Sequence, residues 1–171
     1  MLQEPLTFNK LIILYMLSRV SFPLTRTQIG DFLLDRDYAN FLPLQQAIGE
    51  LDEAGMIRSQ ANGNRTLLTI TAEGEQTLRY LGSRINASIK REIDTYFKEQ
   101  GHTLRNEIAV QSNYYKSTSG EYEAHLIAMD RDIKLVDITL SVPTKESAAA
   151  ICDNWTAKNE TIYQFLIQEL F

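Results

Sequence analysis

Few side chains in this 171-residue chain have the types and spacing that covalent or metal chemistry requires. The single cysteine, Cys152, falls between Ala148 and Trp155 on an apolar helical stripe, where a thiol packs as a small hydrophobe rather than acting as a nucleophile. His102 and His125 stand far apart, and neither has a second ligand at metal-binding spacing, so one Cys and two His do not make up a structural zinc set. No phosphate-cradling glycine loop and no Gly-x-Ser-x-Gly elbow occurs. The expectation is a protein that is no enzyme and carries no cofactor and no metal. What the residues do offer is recognition of a duplex: Gln can bond adenine N6 and N7, an apolar group can touch a thymine methyl, and Arg can neutralise phosphates. Those types gather at Arg26, Thr27, Gln28, Arg36, Asn40, Leu42, Gln45, Gln46, Gly49, Arg58 and Arg65, the candidate DNA-binding residues.

The elements that must position them can be read from periodicity and turn chemistry. Phe8, Leu11, Ile12, Leu14, Tyr15 and Leu17 recur at three- and four-residue spacing, a helix with a broad buried face that Pro23 ends. Thr25-x-x-Gln28 is a capping box and starts a second helix over 26–34. Asn40 caps a third helix, whose first turn tolerates Pro43 and which ends near Gly55. At 100° per residue, Phe41, Leu44, Ala47, Ile48 and Leu51 share its core face. Leu42, Gln46, Gly49 and Glu53 lie opposite, with Gln45 and Glu50 at the edges. The runs 56–60 and 65–70 flank Asn62-Gly63, a strong hairpin signal because both turn residues need positive φ. Thr71 then caps a fourth helix through Leu78 and Leu81, which can continue into the second half with or without a kink at Gly82.

Three helices, a glycine-turned ribbon and a following helix are the parts of a winged helix-turn-helix. Leu51-x-x-x-Gly55-Met56-Ile57 resembles the junction of recognition helix, glycine stop and first wing strand in bacterial winged-helix regulators. Leu68-Thr69-Ile70-Thr71-x-x-Gly74-x-x-x-Leu78 resembles their second wing strand leading into the next helix. With Ala149-x-x-Cys152-x-x-Trp155 and the closing Ile162-Tyr163-x-x-Leu166-x-x-x-Leu170, nearly the full length is similar to a family of bacterial winged-helix proteins of unknown function from anaerobic Gram-positives. The resemblance implies a transcriptional regulator.

In the second half, Ile85, Ile89, Ile93, Tyr96 and Phe97 mark a helix up to Gly101. The alternating runs 104–115, 122–129 and 133–142 read as an antiparallel meander, with Val136, Ile138, Leu140 and Val142 on one buried face. Thr144 caps a long final helix whose stripe is Ala148, Ile151, Cys152, Trp155, Ile162, Phe165, Leu166 and Leu170. The expected fold is therefore α+β: a winged helix-turn-helix over residues 1–82, then over 83–171 a small dimerisation or sensing domain of helix, three-stranded antiparallel meander and long C-terminal helix. The apolar end of that helix suggests a homodimer, and the space between helix and meander is where a small-molecule effector would be sensed.

Charge sets the terms of any DNA contact. With 17 Lys and Arg against 22 Asp and Glu the net charge is −5, which excludes a polybasic binder. Residues 1–82 hold 7 basic and 9 acidic side chains, a balance of −2, and no Lys or Arg falls between Arg36 and Arg58, while Glu50, Asp52 and Glu53 crowd the third helix. Phosphate contacts would come from Arg26, Arg36, Arg58 and Arg65. Two readings stay open: a DNA-binding regulator, and a protein-interaction module that keeps the winged-helix shape without reading DNA. The apolar run 11–17 is too short to span a bilayer and lacks signal-peptide flanks, so no membrane partner and a cytoplasmic location are expected.

Overall fold

The computed structural model describes residues 5–62, 65–130 and 133–171. Its elements run α1 (Pro5–Ser18), β1 (Leu24–Thr25), α2 (Arg26–Asp35), α3 (Phe41–Glu53), β2 (Ile57–Asn62), β3 (Arg65–Ile70), α4 (Ala72–Leu81), a 3-10 turn (Gly82–Arg84), α5 (Ala87–Ala109), β4 (Val110–Lys116), β5 (Tyr122–Asp130), β6 (Ile133–Val142) and α6 (Lys145–Leu170). Among the described residues these make a mixed α+β fold with six α-helices and two antiparallel three-stranded sheets, ordered β1-β3-β2 and β4-β5-β6. Two compact units result, Met1–Leu104 and Arg105–Phe171.

The first unit is built around α1, in which Leu11 to Leu14, Met16 and Leu17 are all buried. They pack with Leu24, Ile29, Phe32 and Leu33, with the α3 stripe Leu44, Ala47, Ile48 and Leu51, and with Ile57, Leu68 and Ile93. Because Ile89, Ile93, Tyr96 and Phe97 join this core, the first unit takes in the α5 segment that follows Gly82. The expected core face of α3 is buried except for Phe41, which is 61% exposed. Phe41 is the first helical residue, and the buried stripe begins only at Leu44.

Local chemistry fixes the element ends. At α2 the capping box is complete: the Thr25 hydroxyl accepts from Gln28 N at 3.0 Å, and Gln28 Oε1 accepts from Thr25 N at 3.0 Å. Asn40 holds the cap position of α3 with extended backbone, but its side chain makes no capping bond. At the other end of α3, Met56 N donates to Leu51 O and Gly55 N to Asp52 O, both at 3.0 Å, with Gly55 at φ +72°. That is a Schellman stop, which favours glycine at the left-handed position. The two glycine-bearing motifs then meet. Thr71 Oγ1 donates to Gly55 O at 2.6 Å while accepting from Gly74 N, and Thr71 N donates to Met56 O at 3.1 Å. A Cβ on Gly74 would lie 2.1 Å from Met56 O, so only glycine allows α4 to start this close to β2.

Strands β2 and β3 pair from Ile57↔Ile70 to Asn62↔Arg65. Gly63 of the expected turn lies outside the described residues. The short β1 adds Leu24↔Leu68 and Thr25↔Leu67, a third strand that two residues of sequence do not announce. Between α4 and α5 the helix does not continue; the 3-10 turn breaks it.

The expected helix end at Gly101 and the strand expected from residue 104 are both corrected. Helix α5 runs to Ala109 and β4 begins only at Val110. Leu104 and Ile108 satisfy the helical i, i+4 rule as well as alternation, and a Cβ at Gly101 would meet open space, so nothing there stops the helix.

In the second unit, Ala124, Leu126 and Ala128 of β5 pack with Val136, Ala148, Cys152 and Trp155. Trp155 Nε1 donates to Ile127 O at 3.1 Å, beside the register shift at Ala128/Met129. On β6, Val136 is buried as expected, but Leu140 is 43% exposed, since β6 is a sheet edge. Helix α6 is unbroken through Lys158 and Asn159, with the Thr144 hydroxyl capping Ser147 N at 3.1 Å. Among the described residues no helix is long and apolar enough to cross a membrane.

Candidate functional site

Helix α3 turns its apolar stripe into the first core and thereby exposes the face that carries Leu42 and Gln46, with Gln45 and Gly49 half-buried along its edge. Leu42 is 77% exposed, and with Phe41 it forms an apolar start to the helix. Gly49 leaves open space where a side chain would stand, which gives this face a shallow floor.

Arg26, at the first position of α2, reaches α3 and donates from Nη1 to Gln45 Oε1 at 3.2 Å. One turn further along α3, Gln46 Nε2 donates to Glu50 Oε1 at 2.8 Å, and Lys10 of α1 pairs with Glu50 Oε2. Hydrogen bonds from Lys10, then from Gln46, hold the Glu50 carboxyl below its ordinary range. The acid that looks repulsive in the sequence is thus tied to a cation forty positions away, which no local pattern announces. Asp52 and Glu53 remain exposed at the end of α3.

On the ribbon, Arg58 pairs in register with Thr69, and Arg65 with Asn62. Position 58 is next to the inward Ile57 and position 65 lies three residues from the inward Leu68, so Arg58 and Arg65 belong to the face opposite the buried Ile57 and Leu68. Both arginines are exposed, as are Thr27 and Asn40.

Two candidates are committed elsewhere. Gln28 is only 6% exposed and spends its amide inside the unit, on Thr25 N and on Leu104 O at 3.1 Å. It serves the cap and the core, which removes it from any groove. Arg36 donates from Nε to Glu92 Oε1 at 2.7 Å, and its guanidinium lies 4.1 Å over Phe32 and 5.3 Å over Tyr96. Tyr38 also bonds Glu92, and that bond, more than Arg36, pulls the Glu92 carboxyl below its ordinary range. Arg36 therefore holds α5 against α2 and is not placed to meet a phosphate.

The groups with reactive chemistry are packed or paired. Cys152 is buried, and that burial pushes its thiol up from the ordinary value. His125 Nε2 lies 2.6 Å from Asp137 Oδ1, and Lys134 Nζ lies 2.7 Å from Asp137 Oδ2; these bonds, Lys134 first, lower the Asp137 carboxyl. Among the described residues no group of three His, Cys, Asp or Glu side chains comes together as metal ligands.

No curated protein and no solved structure matches this chain. One family profile matches residues 9–170, from within α1 to the last turn of α6, and the chain therefore belongs to the DUF4364 family, described as a domain of unknown function.

Proposed function

We propose that the first unit contains a winged helix-turn-helix that binds duplex DNA, and that the protein is a cytoplasmic regulator of transcription acting as a homodimer, by binding rather than by catalysis. Helix α3 is the recognition helix and the β2–β3 ribbon is the wing. One observation carries the reading: α3 buries Leu44, Ala47, Ile48 and Leu51 while presenting Leu42, Gln45 and Gln46, and it is followed at once by a ribbon with exposed Arg58 and Arg65. Those are the chemistries for major-groove edges and for phosphates. Arg26, Arg58 and Arg65 supply the phosphate side, and Arg36 does not. Phe165, Ile167 and Leu170 are exposed near the end of α6 and supply the dimer surface that a two-fold operator calls for. The test is selection from a random duplex library at low salt: an enriched motif with two related half-sites supports the reading, and no enrichment contradicts it.

One observation favours a second reading, an interaction module that does not read DNA. Phe41 and Leu42 leave two large apolar side chains in water at the start of α3, and Asp52 and Glu53 are exposed at its other end. A protein groove would bury the first pair. Under this reading, the duplex library returns no motif and a Phe41→Ala, Leu42→Ala variant loses a protein partner.

A further inference from the structure

Gln45 and Gln46 are neighbours on α3, yet their amides are held in opposite senses by opposite charges. Arg26 Nη1 donates to Gln45 Oε1, and Gln46 Nε2 donates to Glu50 Oε1. Chemistry forces both orientations. A guanidinium carries five N–H donors and no acceptor, so only the carbonyl end of Gln45 can face it. An ionised carboxylate only accepts, so only the NH2 end of Gln46 can face Glu50, which Lys10 keeps paired from its other oxygen. Arg26 Nε is buried without a partner, so the inner edge of this guanidinium is held within the unit while Nη1 reaches Gln45.

A glutamine with both ends available reads adenine by accepting from N6 and donating to N7. Each glutamine here turns one end toward its charged partner and spends half of that end's bonding capacity on it, so only the opposite end is left whole. Gln45 has N–H donors to offer, and Gln46 has its carbonyl. Resting on the assignment of α3 as the recognition helix, we infer that Arg26 and Glu50 are positioning residues that split the pair into one donor and one acceptor. Gln45 takes an acceptor edge, guanine N7 or O6, and Gln46 takes a donor edge, cytosine N4 or adenine N6. Lys10 acts behind Glu50 and contacts no base.

The test is duplex selection with the full chain, comparing wild type with Arg26→Met, Arg26→Lys, Glu50→Gln and Arg58→Ala. Wild type enriches a motif with guanine at one position and cytosine or adenine at another. Arg26→Met releases the Gln45 carbonyl and shifts the guanine position toward adenine by about tenfold, while Arg26→Lys keeps a donor there and restores guanine. Glu50→Gln gives Gln46 a partner that can donate or accept, so preference falls about tenfold at that position alone. Arg58→Ala weakens every sequence alike and leaves base preference unchanged. Thermal melts establish that each variant is folded; if Arg26→Met does not fold, Glu50→Gln, on the solvent side of α3, carries the test. A wild-type motif that stays the same in Arg26→Met and Glu50→Gln overturns this inference and leaves DNA reading intact. No wild-type motif overturns the DNA reading, and the inference with it.

Discussion

Single atoms decide more here than residue class does. At Gly74 the added methyl of alanine would collide with the Met56 carbonyl, a backbone atom that cannot swing aside. Gly74→Ala is expected to cost about 3 kcal/mol, read as a lower urea midpoint at unchanged slope. Gly101→Ala is the opposite case: a mid-helix glycine with open space around it, so the change stabilises by about 0.5–1 kcal/mol in the same measurement. Glu92 makes a pH-dependent contribution. Its carboxyl is lowered in the fold, first by the Tyr38 hydroxyl and then by Arg36, so its stabilisation is complete above the unfolded glutamate value of about 4.3. That stabilisation is lost as pH falls through the lower folded value. Other carboxylates titrate in the same window, so the check is a difference: the gap in urea midpoint between wild type and Glu92→Gln should be present at pH 7 and close at acid pH. A gap that does not change with pH would contradict the assignment.

At the scale of elements, the helices with a one-sided apolar stripe and a side-chain cap were legible. Thr25, Thr71 and Thr144 each cap as their spacing implies, and Leu44, Ala47, Ile48 and Leu51 lie inward as one helical face. What stayed hidden depends on partners distant in sequence. Arg36 looks like a phosphate ligand until Glu92 is brought beside it, and Glu50 looks unopposed until Lys10 arrives from α1. The passage from α5 to β4 reads both ways in sequence because Leu104, Ile108 and Val110 fit one face of a strand while Leu104 and Ile108 also share a helical face, and only packing decides between the two periods. Trp155, the single tryptophan, reports on the second unit alone. Trp155→Phe removes the bond to Ile127 O and part of the ring, and is expected to destabilise the second unit by about 1–3 kcal/mol in a circular-dichroism urea titration. The exposed end of α6 predicts assembly. Light scattering at micromolar concentration should return twice the 19.6 kDa chain mass, and a Phe165→Asp, Leu170→Asp variant the single-chain mass. A wild-type mass near 19.6 kDa would contradict the dimer.

The molecule as a whole carries a net charge of −5, and its proposed DNA face is a local cationic patch on an acidic background. Weak nonspecific affinity at physiological salt follows, because sequence-independent binding rests on neutralised phosphates. Few cations stand on that face, so each should be individually visible. The most direct measurement is therefore the salt dependence of affinity for the selected duplex, in wild type and in an Arg58→Ala, Arg65→Ala double variant. The account predicts a log–log slope shallower by about two in the double variant, one phosphate contact per arginine, with base preference retained. Equal slopes and equal affinities in the two proteins would contradict it.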